Sequence, residues 1–300
     1  MSVIDPKLET LIVVSETKNY SAAARVLNLT QPAVSQHISA LEKEFDIRIF
    51  NRTGNNITLT PLGEILVRYA RQMVSISKEL AIKIDDEKKH TTSLTIGITH
   101  SSEGNLVPEV LATLTKHNPG MTIKIISDSI RNLYDKLSAY EIDLAVVEGK
   151  ISDDRFSNVL LDTDSLVAVM SKDNPLCKKE VLNIDQIRKE RLILRTATSA
   201  TRNLFAAQLE ANNMSLDDFN VILEMDNTAA IKELVKKNIG MSILPKSVVL
   251  TELKEKSLVA LPIENMNMVT EINLAFLKNY PNRNIIDELV RLYHKIAIIK

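Results

Sequence analysis

One segment of the sequence carries amide and hydroxyl side chains at helical spacing and holds no carboxylate between Asn28 and Ala40. A glutamine amide can pair with the N6/N7 edge of adenine, and a serine hydroxyl can bond a base or a phosphate. A helix N-terminus adds a preference for phosphate. The pattern favours a helix that enters the major groove of DNA, and a solvated helix face is the alternative. The side chains involved are Thr30, Gln31, Pro32, Ser35, Gln36 and Ser39.

A second group of polar side chains follows predicted strands further along the chain. Ligands of open α/β sheets bind at the carboxyl ends of strands. Hydroxyls beside helix N-terminal N–H groups suit a small anion, either an inorganic oxyanion or a carboxylate. Simple helix capping is the alternative. A carboxylate among them would disfavour a bare divalent anion and could instead meet an amine. The predicted effector-binding side chains are Thr99, His100, Ser101, Ser102, Glu148, Thr198, Ser199 and Thr201.

No catalytic or metal-binding pattern stands out in the sequence. It has neither a Gly-x-x-x-x-Gly-Lys phosphate loop nor a His-Glu-x-x-His pair, and its five histidines are scattered. Cys177 is the single cysteine, and no histidine can be placed beside it as a base. We therefore predict no catalytic residue, no metal ion and no cofactor.

The composition is that of an ordinary soluble protein, with 45% hydrophobic and 25% charged residues. No run approaches the ~20 apolar residues that span a bilayer, no secretory signal is present, and one cysteine excludes an internal disulfide framework. These observations predict a cytoplasmic protein without a membrane partner. The net charge is −1, so any DNA contact must rest on local charge placement.

The elements that would position the first polar group form a helical head. Pro6 suits the start of one helix, Ser21 can cap a second over Ala22–Leu27, and Thr30 can cap a third. The third helix has an apolar stripe that we expect to be buried. The residues of this stripe are Val34, Ile38, Leu41 and Phe45.

A β-hairpin is predicted directly after the third helix. Two short β-type runs, Ile47–Arg52 and Ile57–Leu59, flank a Gly/Asn turn. Helix, helix, turn, helix and hairpin is the order of a winged helix-turn-helix, which we assign to residues 1–60. Arg48 and Arg52 are the only charges between 47 and 58, so the wing is locally basic and suits phosphate contacts.

A long helix is predicted over residues 61–90. Its apolar side chains alternate at +4 and +3, the spacing of a heptad seam, which indicates packing against a second copy of the helix. Packing against the C-terminal part of the same chain is the alternative. The seam residues are Leu62, Leu66, Tyr69, Met73, Ile76 and Leu80.

From Leu94 onward, predicted strands alternate with predicted helices, a rhythm that favours parallel sheets. The order fits two α/β lobes joined by two crossovers. We assign residues 91–300 to this domain. Lobe one takes about 91–163 and 267–300, and lobe two takes about 164–266.

The motifs of the head resemble the DNA-binding signature of LysR-type transcription regulators over about residues 4–64. Two positions depart from that signature: Asp46 stands where Gly is usual, and Ile49 stands where Leu is usual. The matching runs are Ser21–Leu27, Thr30–Gln36, Ile38, Leu41–Glu42, Ile49–Arg52 and Leu59–Gly63.

This resemblance implies a dimeric linker helix and a two-lobed effector domain like that of periplasmic binding proteins. The Thr99–Ser102 loop is similar to the loop that holds sulfate in sulfur-responsive members of the family. The Thr198–Arg202 run is similar to the Gly-Ser-Gly-Thr-Arg loop of many members, with Thr198 and Ala200 in place of the two glycines. Those replacements restrict how closely the backbone can approach a ligand.

The sequence therefore predicts an α/β protein with an N-terminal winged helix-turn-helix. We expect a homodimeric or homotetrameric transcription regulator that binds double-stranded DNA at an inverted repeat and responds to a small-molecule effector between its lobes. Two rival interpretations stay open. One is a winged-helix protein whose C-terminal domain only oligomerises, and the other is an α/β enzyme with a helical head.

Overall fold

The computed structural model describes residues 4–53 and 56–299, which divide into two compact units. One unit holds the residues up to Ser93 together with Ser138–Glu141, and the other holds Leu94–Leu137 and the residues from Ile142 onward. None of the described helices is long and apolar enough to cross a membrane.

Three helices build the head: α1 (Pro6–Thr17), α2 (Tyr20–Leu27) and α3 (Gln31–Phe45). Thr30 caps α3 as predicted, because the backbone N–H of Ala33 donates to its hydroxyl at 3.4 Å. Pro then occupies the first turn of α3, where its missing N–H leaves no helical bond unmade. The polar segment of the sequence is therefore the N-terminal half of a capped helix.

The prediction that Ser21 caps α2 is wrong. The helix begins at Tyr20, and the side chain of Asn19 accepts from the backbone N–H of Ala22 at 2.9 Å. Asn and Ser cap helices about equally well, so capping preference alone does not select the start. Burial of Tyr20 does: its ring packs edge-on against Phe50, with centroids 6.3 Å apart.

The predicted apolar stripe of α3 is mostly confirmed. Val34, Ile38 and Leu41 are buried in the core of the head. Phe45 is a wrong prediction, since it is 48% exposed. It is the last residue of α3, where the helix has run past the core that its earlier turns cover.

The predicted hairpin is confirmed, with β1 (Phe50–Thr53) antiparallel to β2 (Asn56–Leu59). The long helix α4 (Pro61–Lys89) follows directly and starts at Thr60, whose hydroxyl accepts from the backbone N–H of Gly63 at 2.9 Å. The wing and the long helix therefore meet at a single capping residue.

Thr60 also holds the strand that leads into the wing. Its hydroxyl donates to the carbonyl of Arg48 at 2.6 Å, and its backbone N–H donates to the carbonyl of Ile49 at 2.9 Å. A Cβ on Gly63 would lie 2.2 Å from that Ile49 oxygen. Only glycine allows the first turn of α4 to pack this closely on the backbone of the wing.

Two faces of α4 carry apolar side chains. One face packs into the core of the head through Leu66, Val67, Ala70 and Val74. The placement of Leu66 on the seam is therefore wrong, because it is 8% exposed and already covered by its own chain. The other face stays open within the chain, with exposed fractions of 41–54% for Leu62, Ile65, Tyr69, Met73, Ile76 and Leu80.

The second unit holds two lobes with cores of their own. Strands and helices alternate as expected from β3 to β5 and again from β6 to β9, while β6 follows β5 without a helix between them. The element bounds are β3 (Thr92–Thr99), α5 (Val107–His117), β4 (Met121–Asp128), α6 (Ile130–Ser138), β5 (Leu144–Glu148), β6 (Phe156–Ser171), α7 (Ile184–Arg188), β7 (Arg191–Leu194), α8 (Ala200–Ala211), β8 (Asn220–Glu224), α9 (Thr228–Lys236), β9 (Ser242–Pro245), α10 (Leu250–Lys254), β10 (Leu258–Leu261), β11 (Val269–Leu277) and α11 (Arg283–Ile299).

The predicted parallel pairing is found for some strands and not for others. β3 is parallel to β5, and β7 is parallel to β8. β11 is antiparallel to both β5 and β6, and β9 and β10 are antiparallel to β6. The difference arises because β6 and β11 are the two crossovers between lobes, and they run side by side in opposite directions.

β6 belongs to both lobes. Leu161, near its middle, packs in the core that contains β3, α5 and α11. Leu166, Ala168 and Met170 pack in a core with α8 and β9. The pairing of β6 with β11 shifts register between Ile272 and Asn273. Such irregularities bend a sheet locally, and this one lies near the change from one core to the next.

Gly63→Ala tests the contact between α4 and the wing. The added methyl would overlap the Ile49 carbonyl, so backbone must shift, and overpacking of this kind costs roughly 1–3 kcal/mol. We expect the free energy of unfolding of the head to fall by that amount in urea titrations.

Gly104→Ala is the matched control. Its new Cβ would meet its nearest neighbour, Val248, at 3.6 Å, which is ordinary van der Waals contact. Equal stability of Gly63→Ala and the wild-type protein would show that the head tolerates a side chain at this contact.

Candidate nucleic-acid interface and ligand pocket

The N-terminal half of α3 presents its polar face to solvent. Thr30, Gln31, Pro32, Gln36 and Ser39 are exposed, and Ser35 is half-buried beside them. The turn before it is fixed by Asn28, which takes the left-handed conformation at φ 54° and ends α2. The predicted groove-facing residues therefore share one open face of one helix.

Arg48 precedes the wing, and hydrogen bonds fix the backbone at this point. The carboxylate of Glu42, on α3, accepts from the backbone N–H of Ile49 at 2.9 Å, and Thr60 binds the carbonyl of Arg48. The Arg48 side chain is exposed, so its cation projects from a fixed point next to α3. The side chain of Arg52 lies outside the described residues.

Asp46, where the resemblance expects Gly, takes the left-handed conformation at φ 50°. That conformation is free of steric cost for Gly and is tolerated by Asp better than by most residues. The departure from the signature therefore keeps the backbone path from α3 to the wing.

A small pocket lies between the two lobes of the second unit. Its volume is about 40 Å³, which exceeds the roughly 10–15 Å³ that a cavity needs to hold a water molecule. Both lobes contribute charged side chains and hydroxyls to its wall. The lining residues are Thr99, His100, Ser101, Asp128, Ser129, Ile130, Glu148, Arg195, Thr198, Ser199, Ala200 and Asp226.

Glu148 ends β5 and is 3% exposed. Burial raises the pKa of its carboxyl to about 7, and the negative charge of Asp164 adds to the rise, while hydrogen bonding by Ser101 and the charge of Arg195 oppose it. The carboxyl therefore changes its charge near neutral pH.

Arg195 directly follows β7 and is 4% exposed. Its guanidinium donates to the Thr228 hydroxyl at 3.3 Å and lies 3.8 Å from a carboxylate oxygen of Asp226. Its Nε is buried and has no hydrogen-bond partner within the described part of the chain. Arg195 is a buried cation that lines the pocket and has hydrogen-bonding capacity left over, so it is a candidate for binding an acceptor from a ligand.

The Thr99–Ser102 loop forms a 3-10 helix from His100 onward. Thr99 and Ser101 line the pocket, but Ser102 is fully buried and its hydroxyl lies 3.0 Å from that of Thr99. His100 also lines the pocket, with its Nδ1 3.2 Å from a carboxylate oxygen of Glu103. The structure thus places Ser102 behind the other three.

The second hydroxyl loop is also divided. Ser199 lies at the N-terminus of α8, lines the pocket, is 8% exposed and makes no side-chain capping bond. Thr198 lines the pocket and is exposed. Thr201 is not among the lining residues, and its buried hydroxyl has no partner within the described residues. Helix capping, the alternative use of these hydroxyls, is therefore absent at Ser199.

Three charged lining residues were missed by the sequence analysis: Asp128, Arg195 and Asp226. Each stands at or just beyond the carboxyl end of a strand, in β4, β7 and β8 respectively. Thr99 and Glu148 were predicted because ligands of open α/β sheets bind at the carboxyl ends of strands. The same rule, applied to every strand, predicts these three residues as well.

Among the described residues, no group of three or more His, Cys, Asp or Glu side chains is arranged to hold a metal ion.

Comparison with known families identifies the family of the chain. A family model described as bacterial regulatory helix-turn-helix protein, lysR family, matches residues 6–64, and one described as LysR substrate binding domain matches residues 87–296. The chain belongs to the LysR family. This LysR protein is a DNA-binding transcription regulator with a two-lobed domain for a small-molecule effector, as the sequence predicted.

Relatives of this LysR regulator span nearly its whole length. The probable RuBisCO transcriptional regulator of Phaeodactylum tricornutum is 27% identical and covers 89% of each chain. The HTH-type transcriptional regulator CysL of Bacillus subtilis is 26% identical and covers 98% of each chain. The crystal structure of full-length CbnR complexed with its target DNA has a TM-score of 0.69 at 16% identity, covering 97% of this chain and 98% of that one.

Glu148→Gln tests the burial of the carboxyl. The pKa of this carboxyl is 4.5 in the unfolded chain and about 7 in the folded protein. Its contribution to stability is therefore fully present below pH 4.5 and is lost as the pH rises through about 7. The loss is roughly 3 kcal/mol at 1.36 kcal/mol per pKa unit. Between pH 4 and pH 8, the wild-type protein should therefore lose that much stability relative to Glu148→Gln in urea unfolding.

Glu210→Gln makes the same chemical change at an exposed position of α8. Its pH profile should run parallel to that of the wild-type protein. Parallel profiles for Glu148→Gln as well would mean that Glu148 is solvated.

Proposed function

We propose that the regulator reads DNA with the exposed polar face of α3 and binds flanking phosphates with Arg48. The observation that supports this assignment is a capped helix whose free face carries amides and hydroxyls and no carboxylate. Gln31, Ser35 and Gln36 are placed to read bases. Arg52 is assigned to phosphate contact from the sequence alone.

The exposed apolar face of α4 is assigned to self-association. Its six side chains would remain in water in a single chain, and their spacing is that of a helix-pairing seam. Two copies related by a twofold axis would present two α3 helices, which matches an inverted repeat in DNA. The assignment supports a homodimer as the basic unit, and a homotetramer would be built from two of them.

The pocket between the lobes is assigned to the effector. Its walls come from both lobes, so a ligand can bind tightly only when Glu148 and Arg195 stand at the right separation. A ligand shifts a conformational equilibrium only by its difference in affinity for the two states. Selecting one lobe angle in this way is how the ligand would control DNA binding.

The predicted small anion finds partial support. Arg195, Ser199 and the N-terminal N–H groups of α8 suit an anionic group. Glu148 opposes a bare divalent anion, as the sequence analysis expected.

We propose a regulatory and not an enzymatic role, because the matching family models describe a regulatory helix-turn-helix protein and a LysR substrate binding domain. A role in binding DNA supports the cytoplasmic location that the sequence predicts.

Replacing a base contact should weaken specific binding. Gln31→Ala, Ser35→Ala and Gln36→Ala should each cost roughly 1–3 kcal/mol of affinity for an operator selected from a random duplex pool, while binding to unrelated DNA changes little. Arg48→Ala should weaken binding to every sequence and reduce the slope of log K against log salt by about one. Fluorescence anisotropy with labelled duplexes measures both effects.

Gln208→Ala on α8 makes the same kind of truncation outside the head and should leave operator affinity unchanged. Unaltered operator affinity in all the α3 variants would remove α3 from the interface.

Charge placed on the open face of α4 should break the assembly. Met73 is 41% exposed, so Met73→Asp leaves the fold of the single chain intact, yet it would bury an unpaired carboxylate between two helices. Sedimentation velocity should show a loss of dimer relative to the wild-type protein. Ser75→Asp adds the same charge about 200° around the helix and should sediment like the wild-type protein. A Met73→Asp protein with wild-type mass would place the interface elsewhere.

A further inference from the structure

The pocket assigned to the effector holds more negative than positive groups. Its lining includes three carboxyl groups, Asp128, Glu148 and Asp226, and one guanidinium, Arg195. Asp128 has a distant partner in Lys136, at 3.6 Å, and Asp226 lies 3.8 Å from Arg195. Within the described part of the chain, Glu148 forms no ion pair shorter than 4.0 Å. A ligand that carries only negative charge would leave this carboxyl facing it.

Glu148 and Arg195 face the same small cavity from different lobes without pairing with each other. Both are more than nine-tenths buried, and Arg195 keeps a donor without a partner. Buried groups of opposite charge that do not meet are costly unless something between them supplies the complementary charges. A molecule with a positive end and a negative end would satisfy both at once.

Resting on the assignment of this pocket to the effector, we propose that the effector is a small amino-acid-like zwitterion, with its carboxylate at Arg195 and its protonated amine at Glu148.

Several groups on one side of the pocket can bind the carboxylate of the ligand. Arg195 supplies a buried, partly unpaired guanidinium, and Ser199 supplies a hydroxyl that does not cap its own helix. The backbone N–H groups at the start of α8, a helix of 12 residues, add partial positive charge on the same side. Thr198 lines the same wall.

The amine end has the opposite character. Glu148 accepts a hydrogen bond from the Ser101 hydroxyl, and Asp128 lines the same pocket. An ammonium donates three hydrogen bonds and accepts none, and these groups supply acceptors. The volume of about 40 Å³ favours a small ligand with little beyond its two charged ends.

Binding of a zwitterion should release protons from the pocket. Since the pKa of Glu148 is about 7, the carboxyl is about half protonated at neutral pH. An ammonium beside it favours the charged form and releases up to about half a proton, whereas an anion beside it takes protons up. The other charged or titratable groups whose charges interact with Glu148 are Asp164 on β6, Arg195 after β7 and Tyr293 on α11.

The experiment uses the full-length protein and a panel of matched probes. Each common amino acid is compared with its deaminated acid and its decarboxylated amine, with sulfate and phosphate alongside. A ligand that binds only the folded state raises the melting temperature. We expect at least one amino acid to do so, with both of its single-charge analogues binding at least about tenfold more weakly.

Calorimetric titration of that amino acid at pH 7 in PIPES, HEPES and ACES measures the proton change, which should be a release. Glu148→Gln should weaken the amino acid about tenfold or more and abolish proton release while sparing the deaminated acid. Arg195→Met and Ser199→Ala should weaken both probes. Glu210→Gln, at an exposed site, should behave as the wild-type protein.

The possible results distinguish a wrong ligand class from a wrong effector pocket. Proton uptake, preference for sulfate or a deaminated acid, or no amino acid that binds would overturn the zwitterion. If a bound probe of another class is nevertheless weakened by Ser199→Ala, the effector pocket stands. A bound amino acid whose affinity is unchanged in all three pocket variants would overturn both.

Discussion

The antiparallel pairing of β6 with β11 is the constraint on which both lobes of this LysR regulator depend. β6 runs without a break from Phe156 to Ser171, and its two halves pack in different cores. Because these two strands are the crossovers, the angle between the lobes changes when they bend or twist. Glu148 lies in one lobe and Arg195 in the other. The distance between them therefore depends on the conformation of β6 and β11.

The hydrophobic pattern predicted most of the secondary structure, because elements buried on one face show their period in the sequence. It failed where burial depends on a distant partner. Leu66 has the spacing of a seam residue but is covered by the head, and Phe45 has the spacing of a core residue but lies where α3 has left the core. The first half of β6 was missed because polar side chains such as Asp162 and Asp164 interrupt its apolar run. The antiparallel direction in which β11 pairs could not be predicted, because the residues of a strand do not indicate the direction of its neighbours.

The candidate sites were predicted to different depths. The face of α3 could be named residue by residue, since one helix carries all of it and helical spacing is readable. The effector pocket draws on strand ends that are distant in sequence, and the loops at Thr99 and Ser199 were found because hydroxyls cluster there. Arg195 and Asp226 appear as single charges among many, and only the tertiary fold shows that they face Glu148.

The closed base of the wing has an evolutionary consequence. The backbone N–H of Thr60 is bonded to the carbonyl of Ile49, and Gly63 lies against the same oxygen. The hairpin is therefore a loop with pinned ends. Residues can be inserted or deleted between those ends without altering how α4 leaves the head. Related proteins can thus diverge in wing length and phosphate contacts while keeping the path of α4, whereas a change at Gly63 would disturb both together.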